Sequence, residues 1–585
     1  MQRLIRFVFL LAFLTFLAGC GGGGGGTNLV AKLIYESDWS LRNQAGGGLS
    51  QRVSLFDSNG RPVRTLTAEQ DTIGIQRYEM ADLTPGKYRL FIELYSQAGL
   101  QGTRVGVIET PLSITTTVVF RSAVGATINS VVVNPNAITI TVPESQPLYA
   151  VAQNAAGIPT FSDPADYRWE AFGNVAMVDA KGRVTAVAEG SGTVRATHVP
   201  TNARGGAEVL VSPFVPQHGK WTIIVFMNAA NDLYSYSTPN MNQLEKVAQN
   251  ADVRFVVQWK QAQNLFGGST FEGTRRYLVK ADQTSTVASK LVQDLGSGID
   301  MGRPDTLRNF ILWAKQYYPA DRYGLVIWNH GNGWRRTVER GGMKAASYDD
   351  ETGNAIQTWE MGTALQGQHF DFLAWDCSLM QMLEVAYECR SFADYQVGSE
   401  ESPPAEGYPY DAVFARFRDN PDQPTDTLCK AFVDGMMNVP GYTSRKITQS
   451  VLNSAKLDAI AAALDQLAIA LLVQGNSIAG TIQSIRDNAQ TYSQTAIRYY
   501  RDLDDVCARL IAANLNPQIN SAAQQVRTAL ADALVYQRHN ANSPGSRGLS
   551  IDFSPGSVFI GAAADYSRIQ LAQDSKWDDW LTVAP

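Results

Sequence analysis

The chain has 585 residues, 45% of them hydrophobic and 18% charged, which suits three or four separately cored globular units rather than one. Its formal net charge of −6, with no long Lys/Arg run, argues against a nucleic-acid binder. The five histidines stand in no zinc-ligand spacing with cysteine, which argues against a zinc site.

The amino terminus reads as a targeting segment. Arg3 and Arg6 supply positive charge, and "FVFLLAFLTFL" is apolar but too short for an ordinary membrane span. Leu17-Ala18-Gly19-Cys20 resembles a bacterial lipobox, which implies cleavage of a signal peptide over residues 1–20 and lipidation of Cys20. The alternative is an ordinary cleaved signal. Residues 21–27 are a glycine-rich tether. No Asp follows Cys20, which fits an exported, lipid-anchored protein of the outer membrane or cell surface. Cys377, Cys389, Cys429 and Cys507 remain, too few for a disulfide scaffold.

Residues 28–122 alternate apolar and polar residues in runs such as "QRVSLFD" and "KYRLFIELY", broken by "SNGRPV" and "LTPG". That period of two, with turn signals between, predicts a small β-sandwich. Residues 127–213 resemble bacterial group 2 Ig-like domains through "AKGRVTAVAEGSGTVRATH", with Gly182, Val184, Thr185, Ala186, Gly190 and Val194 at the positions that carry the likeness. "PFVPQHG" at 213–219 is a proline-containing linker.

Beyond it the pattern changes. "WTIIVFMN", "VRFVVQW", "YGLVIWN" and "FDFLAWD" are continuous apolar runs, as expected of strands covered on both faces, with amphipathic helical spacing between them. This predicts a mostly parallel sheet with helices on both faces and function at the carboxyl ends of its strands. His330 follows one strand end beside Gly331. Cys377 and Ser378 follow another, 47 residues on. A strand-end Cys with a His about fifty residues upstream is a candidate nucleophile and base.

The ordered series "WTIIVFMNAANDL", "YGLVIWNHGNGW", "YDDETGNAIQTWEMGTAL", "WDCSLMQMLEVAYE", "VGSEESPPAEGYPY" and "RGLSIDFS" makes residues 220–585 resemble the clostripain family of cysteine peptidases. The resemblance implies a caspase-like α/β sandwich, a His–Cys dyad and cleavage after Arg or Lys. His330 matches the family's general base. At the nucleophile the register differs: Asp376 takes the family's Asp position, but Ser378 takes that of the Cys, leaving Cys377 one residue early. One reading makes Cys377 the nucleophile, with Ser378 and Gln381 capping the next helix and its positive end acidifying the thiol. Another makes Ser378 the attacking residue, which needs a stronger base arrangement than a thiol does. A third leaves a catalytically dead binding or scaffold protein. Backbone N–H groups near Gly331 and the 377–378 corner are expected to hold the oxyanion.

Cleavage after a basic residue needs a carboxylate in the substrate pocket, for which Asp376, Glu400 and Glu401 are the candidates. No cofactor is required by the sequence, although Asp349, Asp350 and Glu351 in "YDDETG" supply oxygen ligands that suit Ca2+. Arg335, Arg336, Arg340 and Lys344 offer sites for self-cleavage between His330 and Cys377. The carboxyl-terminal part, including "LDAIAAALDQLAIALL" and "INSAAQQVRTALADALVYQR", has helical spacing. The sequence thus predicts two all-β modules that carry a peptidase-like α/β sandwich with a helical carboxyl-terminal part. Its partners would be peptides with basic residues, and the membrane through Cys20.

Overall fold

The computed structural model describes residues 31–40, 49–57, 60–70, 73–335, 337–339, 342–344, 346–492 and 499–585. The targeting segment, Cys20 and the glycine tether lie outside the described residues.

Both amino-terminal modules are β-sandwiches. In the first, a three-stranded sheet built around Ala31–Asp38 packs on a four-stranded sheet built around Ser50–Phe56 and Gly86–Tyr95. Their inward faces meet through Leu33, Tyr35, Val53, Leu55, Leu90 and Ile92. In the second, Val131, Val133, Ile138, Val184, Val194 and Val209 fill the core. Alternation in these strands follows from one face being wet.

Nine strands then form a single sheet: β1 (Gly219–Ala229), β2 (Val253–Gln261), β3 (Gly273–Leu278), β4 (Lys290–Gly296), β5 (Ala320–Trp328), β6 (Phe370–Asp376), β7 (Ala393–Gly398), β8 (Thr448–Asn453) and β9 (Leu534–His539). Their order is β4-β3-β2-β1-β5-β6-β7-β8-β9. The five central strands, β2 to β7 in space, are parallel. The two at each margin are antiparallel, a feature that the sequence pattern did not distinguish.

Helices cover both faces of this sheet. One face carries α2 (Pro304–Tyr317), α3 (Leu383–Cys389), α6 (Leu457–Gln474), α7 (Leu503–Ala513) and α8 (Pro517–Ala533), which pack with Ile224, Phe226 and Leu325. The other carries α1 (Tyr234–Val247), α4 (Tyr410–Asp419) and α5 (Thr425–Asn438), against Ile223, Val225 and Val326. Successive β1 residues therefore point into different cores, and so the run carries no polar alternation. The helical spacing read through residue 538 is overturned at its end. α8 stops at Ala533, and Leu534–His539 pairs with β8 as a strand. A free ladder edge and a β-favouring Leu-Val-Tyr run outweigh a helical period there.

The sheet's exposed margin is covered by the Ig-like module. Gln293 donates to the carbonyl of Pro143 at 2.8 Å, the Asp294 N–H donates to Ser145 at 2.8 Å, and Arg183 pairs with Asp294 at 3.1 Å. An edge strand without such cover is a template for unwanted pairing.

At the carboxyl end of β2, Lys260 is fully buried. Its ammonium meets Asp349 at 2.8 Å, Glu351 at 2.7 Å and the Ile299 carbonyl at 2.8 Å. Replacing it by Met leaves the buried Asp349 carboxylate unpaired and is expected to cost about 3–5 kcal/mol. The check is the urea midpoint of the full chain followed by tryptophan emission; an unchanged midpoint contradicts the role given to this pair.

Candidate active site

β5 and β6 are adjacent and parallel, paired from Gly324 with Phe372 to Trp328 with Asp376, so their carboxyl ends stop at one level. The next residues are His330 and Gly331 on one strand end, Cys377 and Ser378 on the other. A side chain at 331 would collide with the Ser378 carbonyl, so only glycine lets the two corners touch. Between them lies a cleft of about 180 Å3, lined by His330, Asp376, Cys377, Ser378, Pro404 and Gly407 among others.

The His330 loop is anchored by buried amides. Asn329 donates to the carbonyls of Asn228 at 2.6 Å and Tyr348 at 3.0 Å, and accepts from the Tyr348 N–H at 2.8 Å. Asn231 donates to the carbonyls of Asn228 and Tyr348 and accepts from the Leu233 N–H, which fixes the turn after β1. That turn presents Asp232, whose carboxylate lies 2.5 Å from His330 Nε2. With the Nε2 proton donated to the carboxylate, the neutral ring keeps its lone pair on Nδ1. Asp232 was missed in the sequence. It lies in a quoted motif, yet nothing in its spacing relates it to a histidine 98 positions on.

Cys377 and Ser378 have opposite surroundings. Cys377 is 1% exposed, packs with the apolar side chains of one sheet face, and donates from Sγ to the Ile327 carbonyl at 3.2 Å. Burial, with the neighbouring Asp376 charge, pushes its thiol well above the usual range. The expectation of an acidified thiol at a helix end is therefore overturned. So is the reading of Ser378 as a helix cap: α3 begins at Leu383, with Met382 in the cap position. The physical reason is visible in the intervening turn. Leu379 has a φ of +65°, and its N–H bonds the Glu401 carbonyl. Gln381 bonds Ser399 and Ser550 through its backbone, which holds the segment extended until residue 382. Ser378 itself is partly exposed and borders the cleft. Among the described residues no acceptor faces the backbone N–H of Gly331 or of Ser378, the two donors expected to hold an oxyanion.

Asp376 lies in the cleft wall. It accepts from the Tyr410 hydroxyl at 2.7 Å and the Tyr408 N–H at 3.1 Å, and the backbone of Gly407 lies against its carboxylate. Burial pushes it up to about 7. Glu400 and Glu401 do not join it. Glu400 is buried with Tyr492 at 3.0 Å and the Gly548 N–H at 3.2 Å, and burial beside Asp502 holds it well above the carboxylate range. Glu401 pairs with Lys446 at 3.7 Å. Neither lines the cleft, and only Glu401 supports the corner through its backbone. The Glu401 carbonyl accepts from Leu379, and the adjoining 403–407 loop closes one side.

The acidic turn at 349–351 has its Asp349 and Glu351 carboxylates on Lys260, and among the described residues no cluster of three or more metal-type side chains occurs. Of the basic residues expected as self-cleavage sites, Arg335 is buried and bonds Asp552 at 2.7 Å, which removes it from reach. Arg336 and Arg340 lie outside the described residues, and so does the side chain of Lys344.

A thiol so enclosed is expected to resist alkylation. In the native full chain, iodoacetamide should leave Cys377 unmodified by peptide mass mapping while it labels that residue after unfolding; prompt native labelling would show that the thiol reaches the cleft.

The chain was compared with known proteins. Residues 225–569 match the clostripain family, and residues 128–203 match the bacterial Ig-like domain (group 2). Clostripain from Hathewaya histolytica is 29% identical over 168 residues, 26% of this chain and 32% of that protein, so the chain spans about a third of that relative's length. Two solved structures are similar. An inactive zymogen C11 protease from Parabacteroides distasonis is 22% identical over 62% of this chain and 99% of its own, with a TM-score of 0.47. A secreted C11 cysteine protease from Bacteroides thetaiotaomicron, in complex with an irreversible peptide inhibitor, is 19% identical over 57% and 92%, with a TM-score of 0.42. With more than half of its length in the first of these matches, the chain belongs to the clostripain family of cysteine peptidases.

Proposed function

We propose that the protein is an exported, envelope-anchored endopeptidase that binds peptides with Arg or Lys against Asp376 and hydrolyses the bond that follows. The observation that carries this reading is the position of Asp376, a buried carboxylate in the wall of the cleft that His330 overlooks. A guanidinium entering there meets a planar acceptor already oriented by Tyr408 and Tyr410. His330 serves as base, and the N–H groups of Gly331 and Ser378 receive the developing oxyanion. Export and a lipid on Cys20 rest on the amino-terminal sequence alone. The two β-modules then act as spacers between membrane and catalytic domain. A second reading, a peptide-binding protein without turnover, is favoured by the enclosure of Cys377.

The test is hydrolysis of matched reporter peptides ending in Arg or in Leu by the full chain. Arg substrates are expected to be preferred, and Asp376→Asn to lower their kcat/KM by about tenfold to a hundredfold, the worth of one charge-assisted hydrogen bond. The sign of the pH dependence follows from Asp376. Its carboxyl takes up a proton as pH falls through about 7 and loses its attraction for a cation, so KM for Arg peptides rises below that pH. Equal cleavage of Arg and Leu peptides at every pH contradicts the proposed specificity.

A further inference from the structure

A carboxylate is hydrogen-bonded to the candidate base, a hydroxyl stands where the sequence resemblance puts the thiol, and the neighbouring Cys377, although it touches the cleft wall, is 1% exposed with its Sγ bonded to the Ile327 carbonyl. We infer that Ser378 is the nucleophile and that Asp232 is the positioning residue which makes His330 a sufficient base, so that a cysteine-peptidase fold here carries an Asp–His–Ser arrangement. The inference rests on the peptidase reading above and deepens it.

A thiol ionises readily and tolerates a loosely placed imidazole. A hydroxyl does not, and must pass its proton to a base as it attacks. The imidazole therefore has to present the right tautomer and to be stabilised once protonated, which a carboxylate on its far nitrogen accomplishes. Asp232 occupies that place, 2.5 Å from Nε2, on a turn held by the buried Asn228–Asn231–Asn329 bonds. Its side chain is 76% exposed, so water screens the pair and its effect is smaller than that of a buried carboxylate.

The corner itself supports the assignment. Leu379, directly after Ser378, is a non-glycine residue at φ +65° and is buried. Left-handed backbone at such a residue costs on the order of 1–3 kcal/mol and persists where the surroundings impose it. The turn it makes directly follows Ser378, which is partly exposed and borders the cleft. Cys377 is still governed by the strand. It lies one residue after Asp376, and neighbouring strand positions face opposite sides. Cys377 touches the cleft wall, but it is 1% exposed among apolar side chains and its Sγ donates to the Ile327 carbonyl.

The chemistry balances without an added reagent. Ser378 Oγ forms a bond to the scissile carbonyl carbon while its proton moves to His330 Nδ1. The C–N bond then breaks as the amine takes that proton, leaving an acyl ester on Ser378. Water, giving its proton to His330, adds to the ester, and Ser378 departs with the proton returned.

The experiment is kinetics of the full chain on an Arg reporter. Ser378→Ala is expected to lower kcat/KM on the order of a thousandfold or more. Cys377→Ala, which alters the cleft wall but removes no reacting atom, should lose at least about tenfold less activity than Ser378→Ala. Because that variant also removes packing, a second measurement uses the parent: its hydrolysis should survive iodoacetamide. Asp232→Asn should lower kcat about tenfold with KM for the Arg reporter unchanged, and Asp232→Glu should restore most of that loss. A purely structural role would move KM together with kcat and would not be rescued by the conservative variant. Loss of activity in Cys377→Ala or with iodoacetamide, together with survival in Ser378→Ala, overturns the inference and leaves the peptidase reading intact. A parent without activity that gains it as Ser378→Cys does the same. If parent and Ser378→Cys are both inert toward every basic peptide, both readings fall.

Discussion

The parallel pairing of β5 with β6 is the constraint on which everything else depends. Because Trp328 stands opposite Asp376, the two chains leave the sheet side by side, and residues 47 positions apart in sequence become neighbours. Parallel strands need a crossover between them, and the described part of this one places Ala346, Ile356, Met361 and Leu365 in the core of one sheet face. The apolar cores on both faces hold the register, since a slip by one residue would exchange the two buried faces. The buried amides of Asn228, Asn231 and Asn329 then tie three chain segments into one floor beneath the histidine.

At the corner that register decides which side chain meets substrate. Cys377 continues the alternation of β6 and is drawn into a dry environment, where a thiolate is disfavoured. Ser378 follows the break in alternation and is left at the cleft. A hydroxyl nucleophile there, as inferred above, asks more of its base than a thiol does, and the Asp232 carboxylate lies 2.5 Å from His330 Nε2. Asp376 performs a separate task. Burial pushes its carboxyl up to about 7, and in the proposed specificity it is the acceptor for the substrate's basic side chain.

The architecture was legible because apolar runs without alternation have one economical explanation, a strand covered twice, and because "YGLVIWN" and "FDFLAWD" both ended in reactive residues. What remained hidden depended on contacts between distant segments. Asp232 meets His330 only through the β1–β5 pairing. Glu400 and Glu401 looked like cleft carboxylates because they follow a strand, yet their side chains turn to Tyr492 and Lys446. The Ser-x-x-Gln pattern at 378–381 satisfied a capping rule, but backbone bonds to Glu401, Ser399 and Ser550 kept those residues out of the helix. Leu534–His539 failed for the same reason, a neighbouring strand edge overriding local spacing.

The most direct measurement of which group faces substrate is the site of covalent capture. The full chain would be incubated in parallel with an arginine diphenyl phosphonate, which traps an activated hydroxyl, and a peptidyl-arginine acyloxymethyl ketone, which traps a thiolate, and the adducts located by peptide mass mapping. The account predicts a phosphonyl adduct on Ser378 and no ketone adduct on Cys377. A ketone adduct on Cys377 with Ser378 unmodified would contradict it.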